Sequence, residues 1–336
     1  MPSAAESLQT LEVSAELRPG HRRFIKHLGR LLPCLSQASV ASDPARALFQ
    51  TPARQWLFYL QSLCRVYREV QGKKPFKALA EPVKALEDQL GAVDYWDVWL
   101  KEAETKKGFP ARMKSVLERH KSGELATLQK LIDSDGWFAN DFERIRSILD
   151  ALSEVDWHKP NKDRRKVAEF LSDELKEIEK EYRDGEIDFA ELELGVHEFR
   201  RQLRWISIYA QSLEGLVQLR SVEPVPADLK KYMTKAIKES CYNILPPREE
   251  GIEPVYLSAP HFYALSWVIA EIGEIKDDGL KIEAFNHAGK EAGLSEGTVA
   301  PLLRDCKHTL GTIPDRVAEI ARTFIIKDAG IKSLMA

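Results

Sequence analysis

The sequence predicts an all-α fold. Apolar residues recur at three- and four-residue intervals along most of the chain. No stretch sustains the alternating pattern and hairpin turns of a sheet, and proline- or charge-rich segments cut the helical pattern into long pieces. In chain order, the leader predicts one helix around His21–Leu32, which Pro33 should kink or end. Thr51–Val70 follows, opened by Thr51-Pro52 as cap and first-turn proline, with Leu57, Leu60, Leu63, Cys64 and Tyr67 on one face. Phe76–Glu104 repeats the pattern through Leu79, Val83, Leu86, Leu90, Val93 and Val98. Further helices are expected over Phe138–Val155, Arg164–Arg183, Phe189–Leu219, Leu229–Ile244, His261–Ala292 and Pro314–Lys332.

The strongest break is Asp156–Lys162, polar around Pro160. Lesser ones are Ser221–Ala227 and Pro246–Pro254. The organisation expected is a helical N-terminal extension over residues 1–42, a first helical bundle over 43–155 and a second over 163–336.

Composition narrows the functional classes. With 44% apolar and 30% charged residues in 336, the chain is neither disordered nor low-complexity. Forty-nine Lys and Arg against fifty-two Asp and Glu leave a net charge of −3, which makes a nucleic-acid partner unfavourable. Charge is uneven, however: residues 1–80 hold twelve Lys/Arg and five Asp/Glu, a balance of +7. No apolar run reaches the roughly 18–20 residues of a membrane span. The N-terminus lacks the basic and apolar regions of a secretory signal. Cys34, Cys64, Cys241 and Cys306 are scattered, without zinc spacing. These features predict a cytoplasmic protein with reduced, mostly buried thiols and no membrane partner.

Nothing local points to catalysis. Glycine-rich phosphate loops and the GxSxG elbow are absent, and no serine, cysteine or lysine has a catalytic setting in its own segment. Glu193/His197 and Glu283/His287 stand four apart, not at the three-residue spacing of bundle di-metal sites. No enzyme activity, metal or cofactor is therefore expected. Asp97, Asp277 and Asp278 are read as partners that orient arginines or as solvent-facing groups, and the aromatic sets around Trp56, Trp96 and Trp205 as core.

Two segments resemble each other. Leu90-Gly91-Ala92-Val93-Asp94-Tyr95-Trp96-Asp97-Val98 and Ile272-Gly273-Glu274-Ile275-Lys276-Asp277-Asp278-Gly279-Leu280 share an aliphatic–Gly pair, a second aliphatic, then acidic residues. A mid-helix glycine costs about 1 kcal/mol relative to alanine, so its recurrence predicts a close approach by a neighbouring helix. Upstream of the second segment, His197, Arg200, Arg201 and Arg204 fall on one stripe of a helix and Phe199, Leu203 and Ile206 on the next. Forked guanidinium donors in such a stripe suit phosphate oxygens. The same residues could instead pair with Glu191, Glu193 and Glu198 nearby.

Val196-His197, Arg200-Arg201 and Arg204, followed downstream by the aliphatic–Gly and acidic pattern, resemble the CHAD family over roughly residues 43–330. The resemblance implies two similar helical bundles related by pseudo-twofold symmetry, and binding of inorganic polyphosphate in a channel of Arg, Lys and His. The chain departs from the family pattern in places. Trp205 and Ser207 stand where further basic residues are usual. In the first half Arg54 falls at the histidine position, Leu57, Gln61, Ser62 and Cys64 at arginine positions, and Asp94-Tyr95 where an Arg-Asp pair is usual.

The expected function is a non-catalytic module binding polyphosphate or a related polyanion. His197, Arg200, Arg201 and Arg204 would make the main contacts, with support from Arg54, Arg65 and Arg68. Arg22, Arg23, Lys26 and Arg30 in the leader, and Lys73, Lys74 and Lys77, could form a substitute basic wall. The alternative is a degenerate scaffold of the same fold that binds a protein.

Overall fold

The computed structural model describes residues 17–139 and 141–335. It is 72% helical and all-α in class. The chain divides into two compact units, one ending at Asp163 and the other beginning at Arg164.

In the first unit α1 spans Pro19–Ser39, α2 Pro44–Phe49, α3 Ala53–Val70, α4 Lys73–Thr105, α5 Ala111–Ser134 and α6 Glu143–Ser153. Helix α1 runs through Pro33 rather than ending there, the stronger of the two expected effects. Pro33 faces solvent, while Leu28, Leu31, Leu32 and Leu35 are buried. An interior proline costs about 3 kcal/mol, and burying several leucines at about 1.5–3 kcal/mol each outweighs it. The helix thereby becomes part of the unit's core. Gly72, at φ +119°, turns the chain between α3 and α4 in a conformation that glycine adopts readily. Helix α5 has no counterpart in the sequence reading. Its buried Met113, Val116, Leu117, Leu125, Leu128 and Ile132 form a narrow stripe in a strongly charged segment, so the periodic signal there is faint.

The core of this unit closes around an ion pair. Arg23 Nη1 donates to Asp163 Oδ2 at 2.7 Å and also to the Tyr67 hydroxyl, which donates to Asp163 Oδ1 at 3.0 Å. The Arg23 and Asp163 side chains are 1% and 2% exposed. Trp157 packs edge-on to Tyr67 and Phe76 and tilted against Phe24. Arg23 of the leader stripe is therefore inside the protein and not part of a basic wall, while Arg30 lies over the Trp56 ring and bonds His27.

Helix α7, Pro160–Asp184, starts in the first unit and carries the chain into the second. There a π-helical turn, Leu192–His197, leads into α8, Glu198–Ser212. The expected helix over Phe189–Leu219 thus ends early. Glu214 and Gly215 both take positive φ, and the Pro247 carbonyl lies where a Cβ on Gly215 would stand. Beyond them β1, Val217–Arg220, pairs in parallel with β2, Val255–Ser258, Val217 opposite Val255 and Arg220 opposite Ser258. Four-residue strands are too short to display a two-residue period, which is why the sequence concealed them. Leu229–Ile244 is likewise no continuous helix. It is the helical turn Ala227–Tyr232, the short α9, Lys235–Lys238, and the turn Cys241–Asn243. Helix α10, Ala259–Glu291, is the unit's central rod, followed by α11, Glu296–Val299, and α12, Ile313–Arg322. Among the described residues no helix is long and apolar enough to cross a membrane.

Two of the four thiols, Cys34 and Cys64, are buried, while Cys241 is exposed and Cys306 half-buried. Burial pushes Cys64 up to about 12 and raises Cys34. A neutral alkylating reagent is expected to label Cys241 and Cys306 in the native protein and Cys34 and Cys64 only after denaturation. Peptide mass mapping checks this, and native labelling of Cys64 would contradict the burial.

Candidate basic site on helix α8

The stripe expected on α8 forms, but its members differ in environment. His197 is the last residue of the π-helical turn, and its Nδ1 lies 3.0 Å from the Glu193 carboxylate. Exposed Arg201 pairs with Glu198 at 2.6 Å. Arg200 is half-buried, and its Nε donates to the Ile269 carbonyl of α10 at 3.0 Å. Burial lowers the Arg200 pKa from its ordinary value, as does the charge of Arg204, while Asp277 and Tyr242 act in the opposite sense. Arg200 and Arg204 thus form a like-charged pair, and the direct bond of one runs to a carbonyl rather than a carboxylate.

The recurring glycines find their reason here. A Cβ on Gly273 would lie 3.0 Å from the Arg200 guanidinium. In the first unit a Cβ on Gly91 would lie 2.7 Å from the guanidinium of Arg54. In each unit an arginine from one helix crosses a long helix at its glycine, which removes the Cβ that would block it.

The two crossings differ in charge. Arg54 Nε donates to Glu87 at 2.9 Å and Nη1 to Asp94 at 2.7 Å, and the Glu87 side chain is 7% exposed. A cavity of about 410 Å3 beside them is lined by both signs, Arg54 and Lys101 with Asp94 and Asp97. In the second unit Arg200 meets the carbonyl of Ile269. Arg54 is therefore neutralised where Arg200 is not.

The remaining candidates lie in the first unit. Arg68 pairs with Glu69 at 3.0 Å, and Arg65 is half-buried and engaged. Lys73, Lys74 and Lys77 are exposed, at the start of α4 just past the end of α3. Asp97 pairs with lysines and Asp278 caps a turn rather than orienting arginines, while Asp277 faces solvent, one of the two roles expected. Burial pushes Asp97 up, but Lys101 at 2.8 Å and Lys121 at 2.5 Å outweigh it and hold its carboxyl below the usual value. Asp278 accepts from the backbone N–H groups of Lys307 and His308 and pairs with the His308 ring at 3.0 Å. Asp277 pairs with Lys276. Trp205 and Tyr209 are buried, as expected of core, whereas Trp56 and Trp96 are only half-buried.

One pairing escaped the sequence reading. Ser258, where β2 meets α10, makes no backbone cap, and its Oγ lies 2.7 Å from His261 Nδ1. The serine and histidine stand three residues apart, but only the tight strand-to-helix junction turns their side chains toward each other. The chain matches no described protein family, no curated protein and no solved structure.

Proposed function

We propose that the protein is a polyanion-binding module resembling the CHAD family, with its site on α8 of the second unit and inorganic polyphosphate as the ligand class. The observation that carries this reading is Arg200: it lies beside Arg204 on one stripe of α8, and its guanidinium is bonded to a backbone carbonyl rather than to a carboxylate. A phosphate oxygen accepts from such a guanidinium without first displacing a carboxylate. Arg201 and His197 extend the stripe. Their bonds to Glu198 and Glu193 are exposed pairs of the kind worth about 0–1 kcal/mol, which a multivalent phosphate chain can displace. Arg54 is excluded as a contact, because freeing it would strand the buried Glu87 carboxylate. The recurrence of an arginine crossing a glycine in both units supports the family resemblance.

Titration with long-chain polyphosphate at low and moderate salt, with sulfate as control, tests the reading. Binding is expected to weaken steeply with salt. Arg200→Ala/Arg204→Ala is expected to lose at least about ten-fold in affinity, while Arg54→Ala leaves affinity unchanged. Equal affinity in the double variant would sink the site assignment. A second reading, a scaffold for a protein partner, is favoured by the carboxylates that neutralise Arg54 in the first unit. Absence of polyphosphate binding at low salt would leave that reading standing.

A further inference from the structure

We propose that a cavity of about 260 Å3 beside the strand pair of the second unit is a binding site for a small organic anion, an apolar body carrying a carboxylate or phosphate group. Arg164, Arg220, Val255, Leu257, Ser258 and Met335 line it.

Arg54, Arg68, Arg183, Arg201, Arg248 and Arg316 each face a carboxylate within 4 Å. Arg164 and Arg220 have no carboxylate partner among the described residues, yet both line this one cavity. Two guanidiniums at one small cavity, neither paired with a carboxylate, offer an oxyanion charge-assisted donors from two sides.

Both are also held in place without being neutralised. Arg164 Nε and Nη2 donate to the carbonyls of Glu253 and Pro254 at 3.0 and 3.1 Å, which anchors the guanidinium on the segment entering β2. A guanidinium has five N–H groups, so others remain for a ligand. The Arg220 guanidinium lies 4.1 Å from the centre of the Tyr256 ring, stacked across the strand pair. Oriented donors lose little freedom on binding, which favours recognition.

The rest of the wall selects the body of the ligand. Val255 and Leu257 are buried side chains of β2, and Met335 adds a third apolar group. Ser258 contributes the polar edge, its hydroxyl already in contact with His261. The volume lies below the 300–1,000 Å3 of sites for drug-sized ligands, so the ligand is small. A long hydrated polyphosphate matches neither the size nor the apolar wall. The site is therefore independent of the α8 stripe.

Calorimetric titration of the full chain with hexanoate, hexyl phosphate, hexanol and inorganic phosphate tests the proposal. At least one of the two hexyl anions is expected to bind about ten-fold or more tighter than both hexanol and inorganic phosphate. Binding of only one of them identifies the headgroup. Arg220 is exposed at a strand end, so Arg220→Gln is expected to keep the wild-type Tm and lose about ten-fold in affinity for the hexyl anion. Arg201→Ala/Arg204→Ala is expected to leave that affinity unchanged, which separates this site from the polyphosphate reading. The proposal is overturned if neither hexyl anion binds, or if hexanol binds as tightly as the anions. It is overturned equally if Arg220→Gln binds like wild type, or if the α8 double variant loses the hexyl anion.

Discussion

Arg23→Met is expected to destabilise the first unit by about 3–5 kcal/mol, the usual result of removing one partner from a buried ion pair. Asp163 is 2% exposed on its side chain. Without the guanidinium its carboxylate would keep only the Tyr67 hydroxyl as a described hydrogen-bond donor. Loss of the charge and desolvation of what remains act in the same direction. The pair also ties α1 and α3 to the first turn of α7, so the damage is not confined to one helix. Arg23→Met/Asp163→Leu is expected to recover part of the loss, because replacing both charges with apolar groups removes the desolvation cost. Urea unfolding of the two variants beside wild type measures both effects. A single-variant loss below about 1 kcal/mol would show that the pair is open to water.

Gly195→Ala is expected to be the most damaging substitution near the α8 stripe. A Cβ there would lie 1.7 Å from the carbonyl oxygen of Asp188 and 2.6 Å from its carbon. The obstruction is backbone, which cannot swing aside as a side-chain tip can. Alanine's helical advantage of about 1 kcal/mol is small against displacing the π-helical turn. That turn ends at His197 and sets the start of α8, so a shift carries His197 and Arg200 with it. The expected result is a stability loss of about 3 kcal/mol or more, in the range of strained backbone sites, with weakened polyphosphate binding. Gly273→Ala is the informative contrast, because its Cβ meets only the far end of Arg200 at 3.0 Å. Wild-type stability and affinity in Gly195→Ala would mean that the turn adjusts without moving the stripe.

Legibility of the candidate sites followed sequence distance. The α8 stripe was visible because its four residues lie within two turns of one helix, where periodicity alone sets neighbours. The glycines were visible as a repeat, but not what fills them. Arg54 and Gly91 belong to different helices, and their contact emerged only from the fold. Arg164 and Arg220 carried no signal, since nothing in their local sequence distinguishes an unpaired arginine from a paired one.

The sequence by itself determined the all-α class, the long helices α3, α4, α7 and α10, and the basic stripe on α8, because each depends on residues a few positions apart. Only the tertiary structure decided which charges survive. Arg54 is neutralised by Glu87, 33 residues away, and Arg23 by Asp163, 140 residues away. The Arg200 guanidinium, by contrast, is bonded to a carbonyl of another helix. The parallel strand pair and its cavity were decided there too. Ion pairing and strand pairing depend on distance in space, and hydrophobic spacing along the chain carries no record of which distant segments meet.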